Sequence, residues 1–211
     1  MTKAQTIPGP AYRIITPRLL IRCPEPSDAP ALDLAIKQSL DHLLPWVLWA
    51  KHEPVSLNGR IEFLRRTRGN FDLGTEFGYL IFNSSETLIF GGTGLHNRLG
   101  GNAREIGYWI HKDYINQGYA TEVAAALTRV AFEVDHVRRV EIHCSPKNTR
   151  SASVPRKLGF INEATLHNRV DDVSGGLRDT MIWSLFEEDY PTSIPAKQEL
   201  QAFDLIGRRI I

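Results

Sequence analysis

Two stretches of the sequence decide the fold: EIGYWIHKDYINQGYATE at residues 105–122 and NTRSASVPRKLGF at residues 148–160. In the first, a run of β-forming residues leads through Asn116, Gln117 and Gly118 into a long segment with apolar residues at helical spacing. The glycine permits a tight turn and the close approach of a ligand. The helix that follows presents unpaired N–H groups and the positive end of its dipole, which is typical of a phosphate site.

The second stretch places Asn148 and Ser151 at the start of a predicted helix over residues 149–158. Gly159 is a typical C-cap, and Phe160 opens the next strand. Asn148 is also a favoured N-cap residue. Taken alone, this stretch therefore leaves a capping role and a binding role open.

Outward from these stretches, the pattern predicts an α/β (α+β) fold in which helices cover both faces of a mixed, mostly antiparallel sheet. The predicted strands cover residues 18–23, 77–82, 87–94, 104–111, 137–144, 160–169 and 179–186. The predicted helices cover residues 28–40, 58–68, 119–134 and 149–158. We expect one domain over residues 13–187, with an extended arm at 1–12 and a tail at 188–211.

The tail contains Pro191 and Pro195, after which residues 196–206 are predicted to form a short helix. Its apolar side chains need a partner surface. Docking on the same domain is one interpretation, and a subunit contact, and hence a homodimer, is the other.

Composition excludes several classes of protein. The 211 residues suit one domain, and a net charge of +1 predicts no long-range field and no nucleic-acid partner. The two cysteines, Cys23 and Cys144, do not suggest a disulfide framework, and the seven histidines show no metal-ligand spacing, so we expect no metal. The longest apolar run, residues 43–50, is too short for a membrane span, and no apolar leader is present, so we expect a cytoplasmic protein.

In their order and on their elements, the two stretches resemble the GNAT acetyltransferase family. RLLIRCPEPSDAPAL at residues 18–32 and GLRDTMIWSL at residues 176–185 are similar to its RimJ/RimL-type branch. The resemblance covers about residues 13–187. It implies the GNAT fold, with a sheet that splays open at the acyl-CoA site, and transfer of an acetyl group from acetyl-CoA to a primary amine by direct attack in a ternary complex.

The resemblance also implies roles for individual residues. Backbone amides of the loop and first helical turn would hold the pyrophosphate, although Ile115 stands where the family has Arg or Gln. A strand segment would pair with the pantetheine, Asn148 would contact it, and Ser151 would lie near the sulfur and donate to the leaving thiolate. The implied cofactor-binding residues are Trp109, Ile110, His111, Gln117, Gly118, Tyr119, Ala120, Thr121, Asn148 and Ser151.

For the general base we favour Glu105, because the period of a strand places it on the same face as Gly107 and Trp109. Asp171 and Asp172, in the predicted loop before the last strand, are the alternatives. A short chain of water molecules is a further route for the proton.

The acceptor amine stays open at this point, because acceptor contacts lie on variable loops. His42, Trp46 and Trp49 lie in the segment that covers the acceptor groove in the family, so they either contact substrate or fill the core. Asp171 is a further candidate for the acceptor side. We favour the α-amine of a protein N-terminus over a polyamine, an antibiotic or a metabolite. A non-catalytic acyl-CoA sensor is the other class of function.

Overall fold

The computed structural model describes residues 10–100 and 102–211, so most of the predicted arm lies outside the described residues. The strands of the described residues are β1 Arg13–Ile15, β2 Leu19–Arg22, β3 Phe77–Asn83, β4 Ile89–His96, β5 Ala103–Ile110, β6 Arg139–Cys144, β7 Ile161–Asp171, β8 Leu177–Phe186 and β9 Gln201–Phe203. The helices are α1 Ala29–Leu43, α2 Leu57–Asp72, α3 Tyr119–Glu133 and α4 Thr149–Leu158.

The strands form one sheet in the order β7-β8-β6-β5-β4-β3-β2-β1-β9. Neighbouring strands are antiparallel, except that β5 and β6 are parallel. These two strands pair only between residues 103–105 and 139–141, so their remaining halves diverge. The mixed, mostly antiparallel sheet that the sequence predicts, with an opening between these strands, is confirmed.

Helices cover both faces of the sheet because successive side chains along each strand point to opposite faces, and both faces carry apolar residues. Ile106 and Ile110 of β5 pack with α3 on one face, whereas Trp109 packs with α1 and α2 on the other. The stripe of α3 includes Val123 and Leu127, each 0% exposed. Burial of a side chain of this size stabilises the fold by about 1.5–3 kcal/mol, so α3 is held firmly at the edge of the opening. No helix of the described residues has both the length and the apolarity that a membrane crossing requires.

Ser27 and Asp28, directly before a segment of helical spacing, predict a helix N-cap, and the start of α1 differs from this expectation. The Asp28 side chain makes no cap hydrogen bond to α1. Its carboxylate instead accepts hydrogen bonds from the Arg22 guanidinium, at 2.7 and 2.9 Å. An ion pair to the neighbouring strand replaces the cap here, which a local sequence pattern does not reveal.

The tail corrects a second expectation. Residues 196–206 do not form the predicted helix; a 3₁₀ turn at Pro195–Lys197 is followed by β9, which pairs with β1. Leu200 is 6% exposed and Ala202 is 0% exposed, so the buried residues alternate with the period of a strand. Pairing with β1 satisfies backbone groups that an edge strand would leave open. The tail therefore docks on its own domain, and the homodimer stays a prediction.

We predict that Ala202→Glu lowers the free energy of unfolding by more than about 3 kcal/mol, because it buries an unpaired charge against β1. Gln201→Glu is the matched control. The side chain of Gln201, next to Ala202 in β9, is exposed, so we expect the free energy of unfolding to change by no more than about 0.5 kcal/mol. Urea denaturation followed by circular dichroism measures both. Equal stability of the two variants would show that β9 contributes nothing to the fold.

Candidate active site

A cleft of ≈ 390 Å³ lies where β5 and β6 separate. Its walls come from the end of α1, the open half of β5, the start of α3 and one side of α4. A volume of this size is typical of small-molecule sites. The cleft is lined by His42, Leu43, Trp46, Val47, Tyr108, Trp109, Ile110, Tyr114, Ile115, Asn116, Gly118, Tyr119, Ala120, Thr121, Asn148, Arg150, Ser151, Ser153, Val154 and Lys157.

One end of the cleft is the N-terminus of α3. Gly118 stands at the N-cap with φ +86°, a left-handed conformation that favours glycine, and no side chain caps the helix. The amides of residues 119–121 therefore keep their donors for a ligand, and the helix dipole adds positive potential. This end of the cleft fits a diphosphate, so the residues present suit the pyrophosphate of coenzyme A.

Arg18 fixes the same loop from the side. Its guanidinium donates to the carbonyl of Gln117 at 2.9 Å and to the carboxylate of Glu122 at 2.6 Å, and it lies 4.5 Å from the ring centroid of Tyr119. Glu122 is buried and also accepts a 2.6 Å hydrogen bond from the hydroxyl of Thr16. The cation that is missing at position 115 is thus supplied near the loop by Arg18, which directly precedes β2. Sequence analysis missed Arg18, because the contact joins residues 99 positions apart.

Ser151 and Tyr108 meet on the α4 side of the cleft. The two hydroxyl oxygens are 3.2 Å apart, and the Tyr108 hydroxyl also donates to the carbonyl of Ser151. Burial raises the pKa of Tyr108 far above its usual value, although the hydrogen bond with Ser151 lowers it. Both hydroxyls therefore stay protonated at neutral pH and form a linked pair of donors. Sequence analysis missed Tyr108, and the signal that could have found it is an aromatic residue beside Trp109 in the predicted strand.

Two neighbours of Ser151 are Asn148, which lines the cleft, and Cys144, which lies behind it. The side-chain oxygen of Asn148 accepts a hydrogen bond from the amide of Ser151 at 3.1 Å, so the capping role is real. Within residues 10–100 and 102–211 the side-chain amide donors of Asn148 have no partner, which leaves them for a ligand. Burial raises the pKa of Cys144 to about 11, against hydrogen bonds with Ser151 and Trp183 that lower it. This thiol is neutral at physiological pH, as expected for a small core residue.

Most of the residues singled out from sequence meet in this cleft. Ten of them line it: His42, Trp46, Trp109, Ile110, Gly118, Tyr119, Ala120, Thr121, Asn148 and Ser151. Whether each of them binds a ligand stays a prediction. Their positions show that one cleft brings together residues from segments between α1 and α4.

Four other residues lie elsewhere. The imidazole of His111 is held by Gln38 at 3.0 Å and caps the turn that follows β5. The side chain of Gln117 donates to the carbonyl of Asp113. Trp49 contacts the edge of Trp109, with ring centroids 6.1 Å apart, outside the cleft wall. Asp171 is exposed at the end of β7.

Glu105 also lies outside the cleft wall. It is on the same face of β5 as Trp109, as the strand period predicts, but in the half of β5 that still pairs with β6. Glu105 is 9% exposed, and its carboxylate pairs with the Arg98 guanidinium at 3.0 Å. Trp109 lies about 13 Å further along the strand at 3.3 Å per residue. The catalytic role of Glu105 stays a prediction.

Comparison with known proteins identifies the class. The sequence profile described as "Acetyltransferase (GNAT) domain" matches residues 18–161. YdaF of Bacillus subtilis, named as a candidate ribosomal N-acetyltransferase, is 30% identical over 83% of this chain and 95% of that protein. The [ribosomal protein uS5]-alanine N-acetyltransferase of Escherichia coli is 25% identical over 86% of this chain and 94% of that protein.

Solved structures share the fold. RimJ of Mycobacterium smegmatis, solved with a CoA-disulfide, superposes with a TM-score of 0.76 at 22% identity, over 90% of this chain and 95% of that one. RimL, a ribosomal alpha-N-protein acetyltransferase solved with coenzyme A, gives a TM-score of 0.74 at 21% identity, over 82% and 96% of the two chains.

The chain belongs to the GNAT acetyltransferase family, because the family profile matches 144 residues (18 to 161) of its 211. It is accordingly an acyltransferase that depends on acetyl-CoA, and the two relatives described above are named as N-acetyltransferases of the ribosome or of a ribosomal protein.

We predict that acetyl-CoA at about 100 times its dissociation constant stabilises the protein by about 2.7 kcal/mol, and that Gly118→Val abolishes this effect. A β-branched residue is strained at φ +86° and brings a side chain to the loop that faces the diphosphate. Thermal denaturation with and without acetyl-CoA measures the shift.

Gly74→Val is the matched control, because Gly74 has φ +69° and no atom lies within 4 Å of the position of its Cβ. It should lower the melting temperature by a similar amount and keep the acetyl-CoA shift. A shift that survives in Gly118→Val would contradict the assignment of the loop.

Proposed function

We propose that this protein transfers the acetyl group of acetyl-CoA to the α-amine of a peptide or protein N-terminus, by direct attack in a ternary complex. The observation that carries the proposal is the cleft between β5 and β6, which joins an uncapped helix N-terminus to a pair of hydroxyl donors. The names of YdaF and of the uS5-alanine enzyme support an acceptor on a ribosomal protein.

Each part of the cleft has a role in this reaction. The amides of residues 119–121 bind the diphosphate, and the unpaired edge of β5 near Trp109 and Ile110 offers backbone groups to the pantetheine. Acetyl-CoA supplies an activated acyl carbon and a thiolate leaving group. Ser151, held beside the cleft by Tyr108, donates to the sulfur as its charge develops, and this is an interaction that is stronger in the transition state than in the ground state.

The far end of the cleft receives the acceptor. His42 and Trp46 of the α1 end line it, and the backbone carbonyl of Trp46 is fixed by the Arg178 guanidinium at 3.1 Å. Burial, with a smaller effect of the Arg150 charge, lowers the pKa of His42. At pH 7 this imidazole is therefore neutral and does not repel a cationic amine. Among the described residues, those that line the acceptor end are aromatic or apolar, and none of them carries a carboxylate.

Ser151→Ala is predicted to lower kcat on the order of 10²-fold while the Kd for acetyl-CoA changes little, since the donor acts on charge that appears only as the thiolate leaves. Tyr108→Phe should cause a smaller loss, because Ser151 keeps its own hydroxyl. Release of CoA measures turnover, and calorimetry measures Kd. A variant that keeps kcat and loses only affinity would make Ser151 a binding residue.

For the acceptor, we expect a peptide with a free N-terminus and blocked lysines to react faster than its acetyl-capped counterpart with free lysines. An α-amine has a pKa of about 7.7–8.0 and a lysine amine about 10.4, so deprotonation at pH 7 costs about 1 against about 4.6 kcal/mol. Initial rates of CoA release from the matched pair decide the question. A faster rate with the capped peptide, or with spermidine, would exclude the α-amine preference.

A further inference from the structure

On the face of the sheet that α1 and α2 cover, two paired strand positions next to the cleft have no side chain. Gly94 of β4 pairs directly with Gly107 of β5. A Cβ on Gly94 would lie 2.9 Å from Cε1 of His96, and a Cβ on Gly107 would lie 3.0 Å from its Nε2. The imidazole of His96 therefore lies against the backbone of both strands. It occupies the space that a side chain at either glycine position would fill.

The orientation of this imidazole is set by a carboxylate. Nδ1 of His96 forms a short hydrogen bond with Glu76, which precedes β3. Nε2 has no hydrogen-bond partner within residues 10–100 and 102–211. Proton donation from Nδ1 to Glu76 leaves the lone pair on Nε2, the nitrogen that faces Gly107. The His96 side chain is 25% exposed, so the imidazole is partly open to solvent.

The position of Gly107 connects this pair to the reaction. Pairing of β5 with β6 stops after Glu105, so Gly107 is in the open half of the strand. The next residue, Tyr108, points to the other face, where its hydroxyl meets Ser151. A proton acceptor and a proton donor thus lie on opposite faces of β5, one residue apart, at the point where the sheet opens.

We propose that His96, held by Glu76, is the general base that takes the proton from the acceptor amine, and that Gly94 and Gly107 leave room for its imidazole to lie over both strands toward the opening of the sheet. This inference rests on the proposed function. Nε2 accepts one proton from the ammonium, and the free amine attacks the acyl carbon. The C–N bond forms as the C–S bond breaks, the second N–H proton ends on the thiolate through Ser151, and His96 releases its proton to water.

Two nearby groups are less free to accept a proton, because charged partners already hold them. Glu105 is paired with Arg98, and its neighbour across the strands, His143, has carboxylates at both ring nitrogens. Nε2 of His143 lies 2.5 Å from Glu141 and Nδ1 lies 3.6 Å from Glu105. Although burial opposes it, the hydrogen bond and charge of His143 lower the pKa of Glu141, so that carboxylate is ionised and holds the imidazole. Of the three groups, only His96 has a single carboxylate partner and a ring nitrogen that has no hydrogen-bond partner in the described part of the chain.

The test compares His96→Gln, His96→Ala and Glu105→Gln in the assay that uses acetyl-CoA and the better acceptor of the two matched peptides. The glutamine keeps an N–H for Glu76 but cannot act as a base. We expect both His96 variants to lose kcat/KM on the order of 10²-fold, with the acetyl-CoA thermal shift unchanged. Added imidazole should restore part of the turnover of His96→Ala. His136→Asn is the control, since His136 lies in the turn after α3 at φ +53°, which asparagine tolerates.

The other outcomes overturn the proposal. Full activity of His96→Gln, or a loss confined to Glu105→Gln, would assign the proton to another group. Loss of the acetyl-CoA shift in both His96 variants would give His96 a structural role. A wild-type protein that binds acetyl-CoA but acetylates none of the amines would refute the proposed function itself, which is a result distinct from any difference between variants.

Discussion

The structure depends on the incomplete pairing of two parallel strands. β5 and β6 share hydrogen bonds over only three residues each, and beyond Glu105 and Glu141 their backbone groups face an opening. Buried backbone donors and acceptors need partners, so the opening is stable only if water or a ligand occupies it. The two flanking helices fix its width: α3 packs on β5, and α4 packs on β6. A binding site is thus built into the topology, before any side chain is considered.

Around the same opening, different functional groups lie on the two faces of the sheet. On the side of α3 and α4 lie the uncapped helix N-terminus and the hydroxyl pair of Ser151 and Tyr108, which suit the donor substrate. On the side of α1 and α2 lie the imidazole of His96 and Trp109, and Trp109 lines the cleft together with Trp46. Two substrates can therefore approach one another from opposite faces of the sheet, as direct transfer in a ternary complex requires.

The sequence predicted what depends on local chemistry. The period of the strands and of α3, the glycine at the N-cap of α3 and the glycine after α4 were all readable, and α4 was placed at its observed bounds. What was missed depends on contacts distant in sequence. Arg18 reaches a loop 99 positions away, and β9 became a strand only because β1 offered a free edge. Asp28 was read as a cap because the pattern could not show that Arg22 would bind it. Glu105 lies on the same face of β5 as Trp109, as the strand period predicts, and its role as the base stays a prediction.

The network of Arg18 has a consequence for the thermodynamics of donor binding. The loop before α3 is tied by the Arg18 guanidinium to the Gln117 carbonyl, and Glu122 is anchored by Thr16, beside β1. Because these contacts order the loop during folding, little conformational entropy remains to be lost when a diphosphate arrives. Affinity for the donor is thereby linked to the integrity of the β1–β9 edge. A disturbance of that edge would be expressed as a larger entropic cost of binding, although no residue there contacts the ligand.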